Sequence, residues 1–166
     1  MKTRLLLIGA AVAVIALMQP LGAASTQSNV TVSATVAATA KLTLGATTVT
    51  FDDKDPDTFS SIAANEGAIS IDAKGKTTTG SSITLTLQAA DDLLSGSDII
   101  GIGNVTWTAS GGGFAAGTMS KSSAVSVGSW TNSGNRSGSV SFALANSWSY
   151  ATGNYSVTAT YTLTAP

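Results

Sequence analysis

The stretch FDDKDPDTF, Phe51 to Phe59, holds the densest carboxylates of the chain, with Asp53, Asp55 and Asp57 on alternate positions beside Asp52. Calcium takes about six to eight oxygen ligands, and acids at alternate positions of a turning loop are how a calcium loop begins. The pattern then departs. Counted from Asp53, the sixth position is Thr58 instead of glycine and the twelfth is Ala64 instead of glutamate, while Pro56 stiffens the middle. The preferred reading is a solvated loop after a strand, in which an Asp side chain accepts backbone N–H bonds. Calcium on Asp52, Asp53, Asp55 and Asp57 is the alternative, and no other cofactor is implied.

Other chemistry is excluded by residue type. The chain has no histidine and no cysteine. That removes the Ser-His-Asp triad, the cysteine nucleophile and the usual zinc site. A glycosidase needs only two carboxyl groups, but the acids here sit in polar turns with nothing to suggest a buried pair. The expectation is that the protein is not an enzyme. GGG at 111–113 and NSGNRSG at 132–138 lack the following helix, lysine and hydroxyl of a phosphate cradle, and read as turns.

Three tryptophans raise a binding question, since sugar rings stack on exposed aromatic faces. Trp107 shares a face with Val105 and Ala109 and reads as core. Trp130 falls out of register with Val125 and Val127, and Trp148 and Tyr150 lie in NSWSY near the turn ATGN. Trp130, Trp148 and Tyr150 are the candidate ligand-binding residues, as an exposed platform; plugging the ends of the fold is the alternative.

The elements that would position these groups have period two. Val49 and Phe51; Ile69, Ile71 and Ala73; Ile83, Leu85, Leu87 and Ala89; and Val105 and Trp107 each line one face of a run. Val125 and Val127; Val140, Phe142 and Leu144; and Tyr155 through Leu163 do the same, with Thr and Ser opposite. Turn signals separate the runs: Gly45, DDKDPD, NEG, KGK, GGG, NSGNRSG and ATGN. The one hint of helix is a short turn at AADDLLSG, Ala89 to Gly96. These spacings predict an all-β chain, a single antiparallel immunoglobulin-like β-sandwich of about 8–9 strands.

The longest alternation is NVTVSATVAATAKLTL, Asn29 to Leu44, with an apolar residue at every even position. At roughly 3.3 Å per residue it would far exceed the usual strand of about 5–6 residues. Small Ala38 and Ala40 mark a bend. Lys41 to Leu44 is expected in the domain's own sheet, and residues 25–37 as an edge strand or a strand for a neighbour, inserting Val30, Val32, Ala34 and Val36.

Residues 1–24 read as a secretory signal: Lys2 and Arg4, an apolar run from Leu5 to Met18, then small residues around Ala23 and Ala24. Residues 25–166 then form one domain, secreted or at the cell surface, with no membrane segment after signal removal. Six basic against nine acidic residues give that part a net charge of −3, which argues against nucleic acid as partner.

VTWTASGGGFAAG with the closing GNYSVTATYTLTAP resembles the WxL family of bacterial surface domains. The early motif falls on Trp107-Thr108-Ala109 and the late one on Tyr161-Thr162-Leu163. That resemblance implies non-covalent attachment to a cell wall. The 29–44 segment is similar to the N-terminal strand of pilin-like subunits of the chaperone–usher and spore-coat-U type, which implies donation to a neighbour. The functional expectation is a non-catalytic structural or assembly protein of the bacterial surface, pairing with like subunits or other surface proteins by strand addition. The alternative is a module for cell-wall glycan or polysaccharide.

Overall fold

The computed structural model describes residues 26–166; the secretory-signal reading falls on residues outside these. The chain divides into Met1–Ala34 and Thr35–Pro166. In the first unit, residues 26–34 join no strand, and Val30 and Val32 are 83% and 88% exposed.

In the second unit the alternation becomes antiparallel sheet. The strands are β1 (Thr39–Leu44), β2 (Ser61–Lys76), β3 (Ser82–Ala89), β4 (Leu93–Ser95), β5 (Asp98–Ile100) and β6 (Val105–Ser110). They continue with β7 (Gly117–Thr118), β8 (Val125–Thr131), β9 (Gly134–Ala145) and β10 (Ala159–Thr164). One sheet has the order β1-β2-β9-β6-β7, another β10-β3-β8, and β4-β5 form a hairpin. All these pairings are antiparallel. Among the described residues the one helical element is a 3-10 turn at Ile102–Asn104, and no helix is long and apolar enough to cross a membrane.

Period two delivers the core. Ile69, Ile71 and Ala73 of β2, Leu85 and Leu87 of β3, Trp107 of β6 and Val140 and Phe142 of β9 are buried in one cluster fed by both sheets. Their neighbours on β2, Ser70, Asp72 and Lys74, face away, as a pleated strand with one wet side requires.

Several local expectations give way to longer-range pairing. KGK is the end of β2, and most of NSGNRSG is the start of β9. The actual corner is Asn132-Ser133: Asn132 takes φ 68°, and its Oδ1 accepts the Gly80 N–H at 2.7 Å. NEG lies in an irregularity of β2 between Ala63 and Ala68, where Gly67 supplies φ 63°. AADDLLSG forms no helical turn. Its Leu93–Ser95 pairs with Asp98–Ile100 around a two-residue turn beginning at Gly96, φ 61°. Val49 and Phe51 pack half-buried on the core without joining a strand. Tyr155 to Val157 likewise precede β10, touching the β4-β5 hairpin through an isolated Leu94–Ser156 bridge.

The split in the long alternation falls within the alanines. Thr39 pairs with Lys76, the last residue of β2, so no ladder partner remains upstream, and the strand is Thr39–Leu44. Lys41 to Leu44 lies in the sheet as expected. Residues 26–38 are assigned to no strand. Val36 is 74% exposed.

Candidate functional site

The carboxylates of the 51–59 loop are held apart by separate tasks. Asp55 Oδ1 accepts the Asp57 N–H at 3.0 Å, an Asx turn within the loop. Asp52 Oδ1 accepts from Asn65 Nδ2 at 2.9 Å, and Asp57 Oδ1 accepts from Trp148 Nε1 at 3.0 Å. Among the described residues no three acidic side chains converge as a metal site needs. The loop is tied down by a residue that the sequence patterns did not single out. Asn146, just past β9, donates from Nδ2 to the Lys54 and Phe59 carbonyls at 2.9 and 3.0 Å, and its N–H bonds Ser60 O. A lone Asn after a strand reads as turn chemistry, and only the fold reveals that it clasps a loop nearly ninety positions away.

Trp130, Trp148 and Tyr150 do not form one exposed platform. Trp130 is buried at 7% exposure, a correction with a specific cause. Between Leu85/Gly128 and Thr86/Ser126 the β3–β8 register slips by one, leaving Val127 as the extra residue of a bulge. Downstream of it the inward face changes parity, so Val127, Gly128 and Trp130 are all buried. Trp130 packs edge-on against Phe114 at 4.9 Å and donates to the Gly112 carbonyl at 2.7 Å. Tyr150 is half-buried against the core, its hydroxyl donating to Ala145 O. Trp148 alone of the three is open, at 70%. Trp107, read as core, is buried, with Nε1 donating to Ala115 O at 2.9 Å.

The two flanks of the paired sheets differ. On one, residues 113–119 run from sheet to sheet: Ala115 N–H bonds Val127 O, Ser129 N–H bonds Gly113 O, and β7 pairs with β6. That flank is stitched. On the other flank β1 and β10 are neighbours. There β1 pairs with β2 and β10 with β3, and among the described residues no main-chain bond joins β1 to β10. Their apolar residues, Leu42, Leu44, Tyr161 and Leu163, are only half-buried. Burial still pushes the Tyr161 phenol up to about 12. An open edge is a template for another strand.

Ion pairs elsewhere join Lys74 to Asp72 and Lys121 to two acids. Lys121 Nζ bridges Asp91 and Asp92 at 2.9 and 2.6 Å. Those bonds lower both carboxyls below their ordinary range and raise the lysine above its own. Comparison with protein-family models, with characterised proteins and with solved structures finds no match to this chain.

Proposed function

We propose that this is a non-catalytic structural protein of the bacterial cell surface or exterior, an immunoglobulin-like β-sandwich that assembles by strand addition. The donor is the segment Val30 to Val36, and the recipient is the unstitched β1/β10 flank of a like subunit. The observation that carries the reading is that Val30, Val32 and Val36, all on even positions, are exposed outside any strand.

Energetics supports it. Burying a valine is worth about 1.5–3 kcal/mol, and fixing one residue's backbone costs about 1–2 kcal/mol. With three valines in the seven residues from Val30 to Val36, burial falls short of the backbone cost, so the segment becomes strand only where an edge also supplies main-chain bonds. Half-buried Leu42, Leu44, Tyr161 and Leu163 mark where such an edge has apolar surface left to cover.

The test compares residues 25–166 with residues 38–166 by electron microscopy and sedimentation. Filaments or oligomers from the longer protein only are expected, with both proteins folded by circular dichroism and the assembled one melting higher. Identical monomers in both samples would sink strand donation.

Glycan binding is the second reading, narrowed to Trp148. Its exposed ring has the Asp57 carboxylate at its edge, a pairing suited to a sugar's apolar face and hydroxyls. Retention on insoluble cell-wall glycan that Trp148→Ala abolishes would favour it.

A further inference from the structure

Charge in the unit Thr35–Pro166 is sorted along the strands. Thr39, Lys76 and Gly134 meet at one end of the five-stranded sheet, and Ser61 meets Ala145 at the other. Lys41, Lys74, Lys76 and Arg136 lie toward the first end. Lys41 sits directly opposite Lys74, and Asp72, 3.4 Å from Lys74, is the one acid among them. That end carries +3, four basic residues against one acid. The other end holds the loop of Asp52 to Asp57, the turns with Asp91, Asp92 and Asp98, and Glu66. These eight acids against Lys54 and Lys121 leave −6.

Exposed apolar side chains follow the same division. Phe59, Leu94, Ile99 and Trp148 are exposed and all stand in the loops and hairpin of the acidic end. At the basic end Val36 is exposed. There, a shallow hollow of about 420 Å³ is rimmed by Lys41, Lys74 and Lys76. Lysine stems around a hollow offer apolar sides and ammonium tips, which suits an aromatic ring flanked by carboxylates.

We propose that the acidic, aromatic end of one copy docks on the lysine end of the next. This rests on the reading that the protein self-assembles, and adds which surfaces meet and in what sense. The occupant is a second copy, because one chain carries both complementary faces. A contact between two different faces leaves each copy with one free face of each kind, so it propagates head to tail, as a polar fibre or, where the rotation closes, as a ring. Charge sets orientation and encounter, and Phe59, Ile99 and Trp148 supply the buried area.

The test is sedimentation velocity on residues 25–166 at about 50 and about 500 mM salt, since the screening length shrinks several-fold over that range. Two variants avoid groups with structural bonds: Lys41→Glu with Lys76→Glu, and Asp53→Lys with Asp98→Lys. The lysine variant turns its end from +3 to −1 and is expected to stay monomeric where the parent assembles; the aspartate variant leaves −2 facing +3 and is expected to assemble more weakly. An equimolar mixture is expected to pair through the unaltered acidic end of the first and the unaltered lysine end of the second. Weaker assembly at high salt, and at least tenfold weaker association of Trp148→Ala, are also expected; circular dichroism checks that each variant is folded. A parent that is monomeric at low salt, or assembly unaffected by both charge variants and by Trp148→Ala, overturns the proposal. Loss of assembly on removing residues 25–37 with both charge variants still competent would leave strand donation standing and end docking refuted. The converse pattern would refute donation and keep the docking.

Discussion

Trp130 donates its indole N–H to the carbonyl of Gly112 at 2.7 Å, and the next residue, Gly113, sits at φ 85° against the same ring. A Cβ on Gly113 would lie 2.2 Å from Trp130 Nε1, whereas one on Gly112 would meet nothing within 4 Å. The GGG turn is therefore a fitted seat for a core tryptophan.

Gly113→Ala is expected to destabilise the fold by about 2–4 kcal/mol, combining a left-handed backbone with overpacking. Gly112→Ala should stay within about 0.5 kcal/mol of the parent. Urea denaturation of the pair measures both, and equal midpoints would contradict the seat.

Tryptophan environments divide sharply. Trp107 and Trp130 are 2% and 7% exposed against 70% for Trp148. Acrylamide should quench one of three emitters readily, and Trp148→Phe should remove that accessible component while leaving the blue-shifted remainder. A second accessible tryptophan after that substitution would place Trp130 outside the core.

These residues also mark what the sequence made legible. Period two placed Ile69, Ile71, Leu85, Leu87, Trp107, Val140 and Phe142 inside, because alternation maps directly onto the two faces of a pleated strand. It misplaced Trp130, because one extra residue at Val127 inverts the parity beyond it; Gly128 within VSVGSW is the local mark of that bulge, which alternation alone passes over. Asn135 to Gly138 read as turn by composition, yet they pair with Ile71 to Lys74 of β2. Long-range pairing outweighs local preference there. The Asp57–Trp148 bond and the clasp of Asn146 join positions about ninety residues apart, beyond the reach of any local pattern.

Asn146→Ala removes two side-chain bonds to loop carbonyls and is expected to cost about 1–2 kcal/mol. Its more specific effect is on the 51–60 loop, whose amides should exchange with solvent faster while those of β2 and β9 change little. Uniform acceleration across β2 and β9 would mean that Asn146 supports the sheet instead of the loop.

The pH dependence of stability follows from which groups shift and in which direction. Main-chain and hydroxyl bonds from Thr50 hold Glu66 low. The Ser137 hydroxyl lowers Asp72, and Lys121 lowers Asp91 and Asp92. Groups depressed in the folded state contribute stability above their unfolded values, about 3.9 for Asp and 4.3 for Glu. That contribution is lost as pH falls through the lower folded values. Lys121 is raised by Asp92 and Asp91, and burial pushes Tyr161 to about 12. Raised groups contribute below their unfolded values, about 10.4 and 10, and lose that contribution as pH climbs through the folded ones. With no histidine in the chain, nothing among these groups titrates near neutrality. The urea midpoint should therefore be flat from about pH 5 to about pH 9 and fall on both sides. Lys121→Ala should shallow the acid limb, and Tyr161→Phe should shallow the alkaline one. A midpoint that slopes through pH 7 would show that a group outside these pairs governs the fold.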